Sequence, residues 1–174
     1  MATSRLLYLV LLGLLCLERA CELAISRRNA RAALAAGGVE SGRSHFPAMA
    51  AFHALFPLAC AAEVVLLRRP FPGGAGWIAL GLALAAQALR WWCIASLGRA
   101  WNVRVIVVPG AALSRRGPYR VLRHPNYVAV AVELAAVPLI HGAWLTAIVA
   151  SLGNAVLLAV RIPCEARALR AARG

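Results

Sequence analysis

Five apolar runs dominate the chain, at about 4–25, 46–67, 76–97, 126–140 and 142–162. Most are close to the roughly 20 residues that a helix needs to cross a bilayer. Hydrocarbon offers backbone N–H and C=O groups no water, so runs of this length restrict the fold to helices that satisfy their own backbone. The expectation is an all-α, polytopic integral membrane protein with about five transmembrane helices, forming a single membrane-embedded domain over residues 1–174. A hydrophobic content of 62% and a mean hydropathy of +0.74 lie well outside the range of soluble domains.

The runs differ in how they end. The fourth is short, and "HGA" at 141–143 is all that separates it from the fifth, which predicts that the last two helices form a tight hairpin. The opening run has no small-residue cleavage site and passes into charged, helix-compatible sequence, so it reads as a retained first span and not as a signal peptide. Beyond it, "ARAALAAGG" at 30–38 reads as a short surface helix ended by glycine. Cys16, Cys21, Cys60, Cys93 and Cys164 have no paired spacing and mostly sit in apolar sequence, so neither a disulfide framework nor a metal site is expected.

A formal charge of +13 raises the question of nucleic acid, but every basic residue is Arg and the arginines fall between the apolar runs. That is the pattern of topology signals, not of a DNA-binding face. Arg27, Arg28, Arg31 and Arg43 follow the first run, and only Arg68 and Arg69 follow the second. Arg99, Arg104, Arg115, Arg116, Arg120 and Arg123 follow the third, and Arg161, Arg167, Arg170 and Arg173 end the chain. The positive-inside rule then puts the N-terminus outside and the C-terminus in the cytoplasm, with Arg5 a weak opposing signal.

Ionisable residues inside a span cost roughly 2.5–3.5 kcal/mol each on insertion scales, so each calls for a partner or a purpose. Asn154, Arg161 and Glu165, spaced by seven and four, share one helical face, and Glu133 lies seven residues after Asn126 on another. Two polar stripes meeting across the hairpin would make a cavity open to the cytoplasm; interhelical hydrogen bonding alone is the structural alternative. Glu18, Arg19 and Glu22 can pair among themselves or with Arg28, Arg90 can snorkel beside Trp91 and Trp92, and Glu63 suggests no function.

One stretch concentrates polar chemistry: "RRGPYRVLRHPNY" at 115–127. Pro125 suits the first turn of a helix, which places His124 and Tyr127 at a helix start among arginines, the makings of an anion site. The alternative is an arginine cluster on anionic headgroups, with Tyr119 and Tyr127 as interfacial anchors.

"GPYRVLRHPNY", followed by Glu133 and the closing "RIPCEARAL", resembles the isoprenylcysteine carboxyl methyltransferase family of integral-membrane methyltransferases. "LGRAWNVRVIVVPG" is similar to the family segment before the motif, and the N-terminal part is similar to a bacterial branch associated with alkylpyrones and alkylresorcinols. The resemblance implies S-adenosyl-L-methionine as cofactor, held by about residues 99–174. Tyr119, Arg123, His124, Tyr127, Glu133, Asn154, Arg161 and Glu165 are then the cofactor-binding candidates, and His124 and Tyr127 the catalytic ones. It further implies a lipophilic acceptor and membrane lipids as partners, no nucleic acid, and a bacterial cell membrane. The acceptor that the resemblance implies is an alkylpyrone or alkylresorcinol hydroxyl, with a prenylcysteine-like carboxylate as the alternative. A small transporter and a lipid-binding scaffold are the readings from other classes. The chain departs from the family pattern at Ala129, where glycine is frequent, and at Ala166, where a second acid often follows Glu165; Pro163 between Arg161 and Glu165 is expected to kink the helix.

Overall fold

The computed structural model describes residues 2–111 and 115–172; Arg173 lies outside the described residues. Five α-helices carry most of the chain: α1 (Ala2–Ala35), α2 (Phe46–Leu66), α3 (Gly74–Leu97), α4 (Pro125–Leu139) and α5 (Trp144–Ala171). Two short strands, β1 (Val39–Ser41) and β2 (Val105–Val107), pair antiparallel with Val39 opposite Val107 and Ser41 opposite Val105. This pair is a departure from an all-helical chain, and the β-branched run through Val105, Ile106, Val107 and Val108 accounts for β2.

Three helices, at Phe46–Leu66, Gly74–Ala100 (α3 with the 3₁₀ turn after it) and Trp144–Ala171, are long and apolar enough to cross a membrane. The protein is an integral membrane protein on that count. α4, at 15 residues, reaches only about 22 Å at the usual rise, short of a hydrocarbon core of about 30 Å. In α1 the apolar stretch is interrupted by Glu18, Arg19 and Glu22. The stretch at 30–38 is helical through Ala35 and ends at glycine as expected, but as the last turns of α1 and not as a helix of its own. No Pro or Gly interrupts 14–36, so α1 runs on to Ala35 and stops where Gly37 takes φ +80°, with Gly38 N–H bonding the Ala33 carbonyl at 2.9 Å.

Apolar side chains face both ways, as expected of helices with lipid around them. Tyr8, Leu12, Phe56, Cys60, Val64, Val130, Leu134 and Val137 meet in the interior, while Leu55, Leu58, Ile78, Leu82, Val149, Leu152 and Val156 point out. α3 buries Ala79, Ala83 and Ala86, whose small size lets it lie close along α4. Residues 140–143 connect α4 to α5, with the N–H of Ala143 returning to the Pro138 carbonyl at 2.9 Å. α5 then starts against a carboxylate from another helix. Glu63 accepts from Leu145 N–H at 3.2 Å, Thr146 N–H at 2.6 Å and the Thr146 hydroxyl at 2.8 Å, and Arg69 donates to it at 3.0 Å. A residue without evident purpose in the sequence thus caps the last helix. α5 continues past Pro163 to Ala171.

Candidate functional site

The stretch before α4 is shaped by its smallest residue. Gly117 has φ +54°, and a Cβ there would run into Ser96 Oγ and Trp92 Nε1, so only glycine lets the 3₁₀ turn 117–120 press onto the end of α3. Pro118 is buried in that contact. Tyr119 follows, and burial pushes its phenol above the ordinary tyrosine value, with the Cys93 thiol beside it adding to the rise. Pro125 occupies the first helical position of α4, as its fixed φ and missing N–H favour. His124 therefore sits at the N-cap, where its ring stacks on that of Tyr127 at 5.3 Å between centroids and 21° between planes.

From Tyr127 a chain of polar contacts crosses to α5. Its hydroxyl donates to Glu165, and Arg161 Nε donates to that hydroxyl at 2.9 Å. The guanidinium also donates to the Val103 carbonyl at 2.6 Å and lies 3.4 Å from Met49 Sδ. Arg161 thus joins α5 to α4, to α2 and to the segment before β2, and at 8% exposure it is held on every side.

Two cavities flank this chain. The outer one, about 610 Å³, lies under β2 and the 3₁₀ turn, and its walls include Arg99, Tyr119, Arg123, His124 and Glu165. The inner one, about 390 Å³, runs between α1, α2 and α5, with apolar walls from Phe46, Met49, Pro57, Val130 and Leu157. Trp101, Asn102, Asn126, Tyr127 and Arg161 line both, so the polar chain stands at their junction. Cys16, Ala20 and Leu23 of α1 and Ala50 and Ala54 of α2, all exposed, border the inner cavity on its lipid side.

Tyr119, Arg123, His124, Tyr127, Arg161 and Glu165 are brought together around the outer cavity, and Asn154, 4% exposed, lines the inner one. Glu133 is not among them. It turns from α5 toward α1 and α3, 3.4 Å from Arg19 and 3.5 Å from Arg90, so no single polar stripe runs along the α4–α5 seam. In place of the stripe there is a buried network. Arg90 donates twice to Glu22, at 2.6 and 2.9 Å, Arg19 donates to Glu22 at 2.9 Å and approaches Glu18 at 3.4 Å, and Gln87 and Trp91 both donate to Glu18. Arg90 is therefore a paired interior residue and does not snorkel; among the described residues Arg28 takes no part in these pairings. Arg19 pairs with Glu18 and Glu22 within α1, as the sequence suggested; the partners on different helices lie 43 to 114 residues apart, beyond what the cost of ionisable residues inside spans could identify. Of the residues at the junction, Trp101 and Asn102 carried no signal of their own.

Residues 78–171 match the isoprenylcysteine carboxyl methyltransferase (ICMT) family. The chain is also similar to the uncharacterized protein YpbQ of Bacillus subtilis (strain 168), at 38% identity over 165 residues, covering 94% of this chain and 97% of that protein. An uncharacterized protein of Haemophilus influenzae (strain ATCC 51907 / DSM 11121 / KW20 / Rd) is 28% identical over 149 residues, 85% of this chain and 86% of its own length.

Proposed function

The chain belongs to the isoprenylcysteine carboxyl methyltransferase family, a family of membrane methyltransferases, and on that premise we propose that it is an S-adenosylmethionine-dependent O-methyltransferase acting on the polar head of a lipophilic substrate within the membrane. The observation that carries this reading is the Tyr127, Arg161 and Glu165 chain at the junction of two cavities, one reached past polar loops and the other bordered by lipid-facing helices.

The donor set fits the cofactor. Its carboxylate calls for cationic donors, which Arg99 and Arg123 offer at the outer cavity; its ammonium calls for an acid, which Glu165 offers; its adenine calls for apolar walls, which Ile106, Val108 and Leu169 supply. The aromatic faces of Tyr119, Tyr127 and His124 suit a sulfonium. A volume of about 610 Å³ is in the range of pockets for ligands of this class. When bound, S-adenosylmethionine supplies a methyl group made electrophilic by its sulfonium. Everything else falls to the protein: Arg161 fixes Tyr127 and, through it, Glu165, while the helices exclude water so that acceptor and donor meet in line. We place His124 in the cofactor wall, since it lines the outer cavity and is stacked on Tyr127. The cofactor-binding part runs over about residues 99–174 of a single membrane-embedded domain, with the C-terminus cytoplasmic.

For the acceptor we favour an alkylpyrone or alkylresorcinol hydroxyl over a prenylcysteine carboxylate, on the likeness of the N-terminal part and on the apolar walls of the inner cavity, which suit a long tail entering from lipid. The reading is tested by purified protein in detergent, offered methyl-labelled cofactor and all three acceptor types in parallel. Label in an extractable lipophilic product supports it. Saturable cofactor binding absent under all conditions would overturn it, leaving a transporter or a scaffold.

A further inference from the structure

The buried network beside the inner cavity does not balance. Glu18, Glu22 and Glu133 face Arg19 and Arg90, and among the described residues no other cation is paired with the three carboxylates, so one negative charge is left over. The neutral donors Gln87 and Trp91 satisfy Glu18 without changing that balance. His53 of α2 lines the same cavity, and α5 contributes only Arg161, which is linked to Glu165 through Tyr127. A bare excess charge in a dry helical interior is costly, so it demands a counter-charge or a proton.

A second observation bears on what enters. Arg19 Nε, a donor, and Asn126 Oδ1, an acceptor, are both buried without a hydrogen-bond partner among the described residues, and both residues line the inner cavity. A hydroxyl both accepts and donates, so it can serve either group as they stand; a carboxylate only accepts, and would serve Asn126 only with the amide turned over.

We propose that the Glu18, Arg19, Glu22, Arg90 and Glu133 network selects an acceptor that enters the inner cavity as a neutral hydroxyl, and that it takes up the proton this hydroxyl loses on methylation. This rests on the methyltransferase reading and deepens it. The cofactor's ammonium, carboxylate and sulfonium sum to one positive charge, which offsets the network's excess when the acceptor is neutral. In the reaction the acceptor's oxygen forms its bond to the methyl carbon, the carbon–sulfur bond breaks with its electron pair going to sulfur, and the O–H proton passes to a network carboxylate. The donor's charge disappears as the network's does, so the interior is neutral before and after. A carboxylate acceptor would leave an unanswered negative charge throughout. Within the network Glu133 is the holder of the proton: its contacts to Arg19 and Arg90 are long, 3.4 and 3.5 Å, whereas Glu22 is held at 2.6 to 2.9 Å and Glu18, also 3.4 Å from Arg19, accepts from Gln87 and Trp91. Of the three carboxylates Glu22 lines the cavity, so the proton enters the network there; Arg19 and Arg90, which also line it, each contact both Glu22 and Glu133.

The test counts protons on binding, with no turnover needed. Calorimetry at neutral pH in buffers of different ionisation heat is run with S-adenosylmethionine and with S-adenosylhomocysteine, which lacks the sulfonium charge. Binding of the methylated form should expel one more proton than binding of the demethylated form, and the difference should vanish in Glu133→Gln. Glu18→Gln, at the more exposed edge of the network, removes the same excess charge and should abolish the difference even if Glu133→Gln fails to fold. In parallel, wild type should methylate an alkylresorcinol faster than an S-prenylcysteine, with Glu22→Gln, at the carboxylate that lines the cavity, lowering the former by about 100-fold, the usual scale for a group that takes a proton in the transition state. Both ligands binding with equal proton counts in wild type, or the carboxylate being the faster acceptor, would overturn the inference while leaving the enzyme a methyltransferase. If neither ligand binds, the methyltransferase reading fails and takes this one with it.

Discussion

Arg161 Nε donates to the Tyr127 hydroxyl at 2.9 Å, and because that hydroxyl donates in turn to Glu165, α4 and α5 are joined by a directional chain and not by a direct ion pair. Arg161→Ala removes the donor to Tyr127 and to the Val103 carbonyl, and Glu165→Ala removes the acceptor. Each should weaken S-adenosylmethionine binding by about 1.5–3 kcal/mol, the range for a lost hydrogen bond to a charged group, with the protein still folded in detergent. Tyr127→Phe, which deletes only the linking hydroxyl, should cost about 1 kcal/mol. Equilibrium binding of labelled cofactor measures all three, and unchanged affinity throughout would reduce the chain to a helix-joining contact.

His124→Ala tests the assignment of the histidine to the cofactor wall. Loss of its ring against Tyr127 should lower cofactor affinity by about 0.5–1.5 kcal/mol, the scale of an aromatic pair. Turnover on a hydroxyl acceptor and on a carboxylate acceptor should then fall by the same factor. A fall of about 100-fold confined to the hydroxyl acceptor would instead make His124 the proton acceptor.

Glu63 predicts a loss of stability without loss of chemistry. Glu63→Ala leaves two N–H groups of the first turn of α5, and Arg69, without their carboxylate, for a cost of about 1–3 kcal/mol. Thermal unfolding in detergent should show a lower midpoint, and Glu63→Gln, which keeps one acceptor oxygen, a smaller drop. Cofactor affinity at a temperature where both variants are folded should match wild type.

The arginine distribution predicts orientation. A reporter fused after the C-terminus should be cytoplasmic, and one inserted at Gly73, in the loop that holds only Arg68 and Arg69, should be external. A cytoplasmic signal at Gly73 would refute this orientation.

How much of this was legible follows from where the constraints lie. Local rules sufficed for the start of α4, because Pro125 acts on its own turn and puts His124 and Tyr127 where a motif reader expects them. Helical spacing sufficed for Arg161 and Glu165, four residues apart on one face. It failed for Glu133, since periodicity says which residues share a face but not which neighbour that face meets; here the neighbours were α1 and α3. The glycines at 37 and 38 marked a helix end correctly, but the change from apolar to charged sequence near residue 25 is no breaker, so the two expected helices are one, α1. Glu63 was invisible as a cap because its helix and the helix it caps are 82 residues apart in the chain.

The family match begins at residue 78, yet Arg90, inside it, is answered by Glu22 outside it, and β2 is paired with β1 across the same boundary. That boundary is a seam bridged by a buried ion pair and a strand pairing. Residues 78–171 grafted behind foreign N-terminal helices would arrive with a guanidinium and a carboxylate facing strangers, and with a strand missing its neighbour. A chimaera that replaces the first two helices therefore keeps these pairings only if it carries the acidic turn of α1 along or changes Arg90 and Glu133 with it.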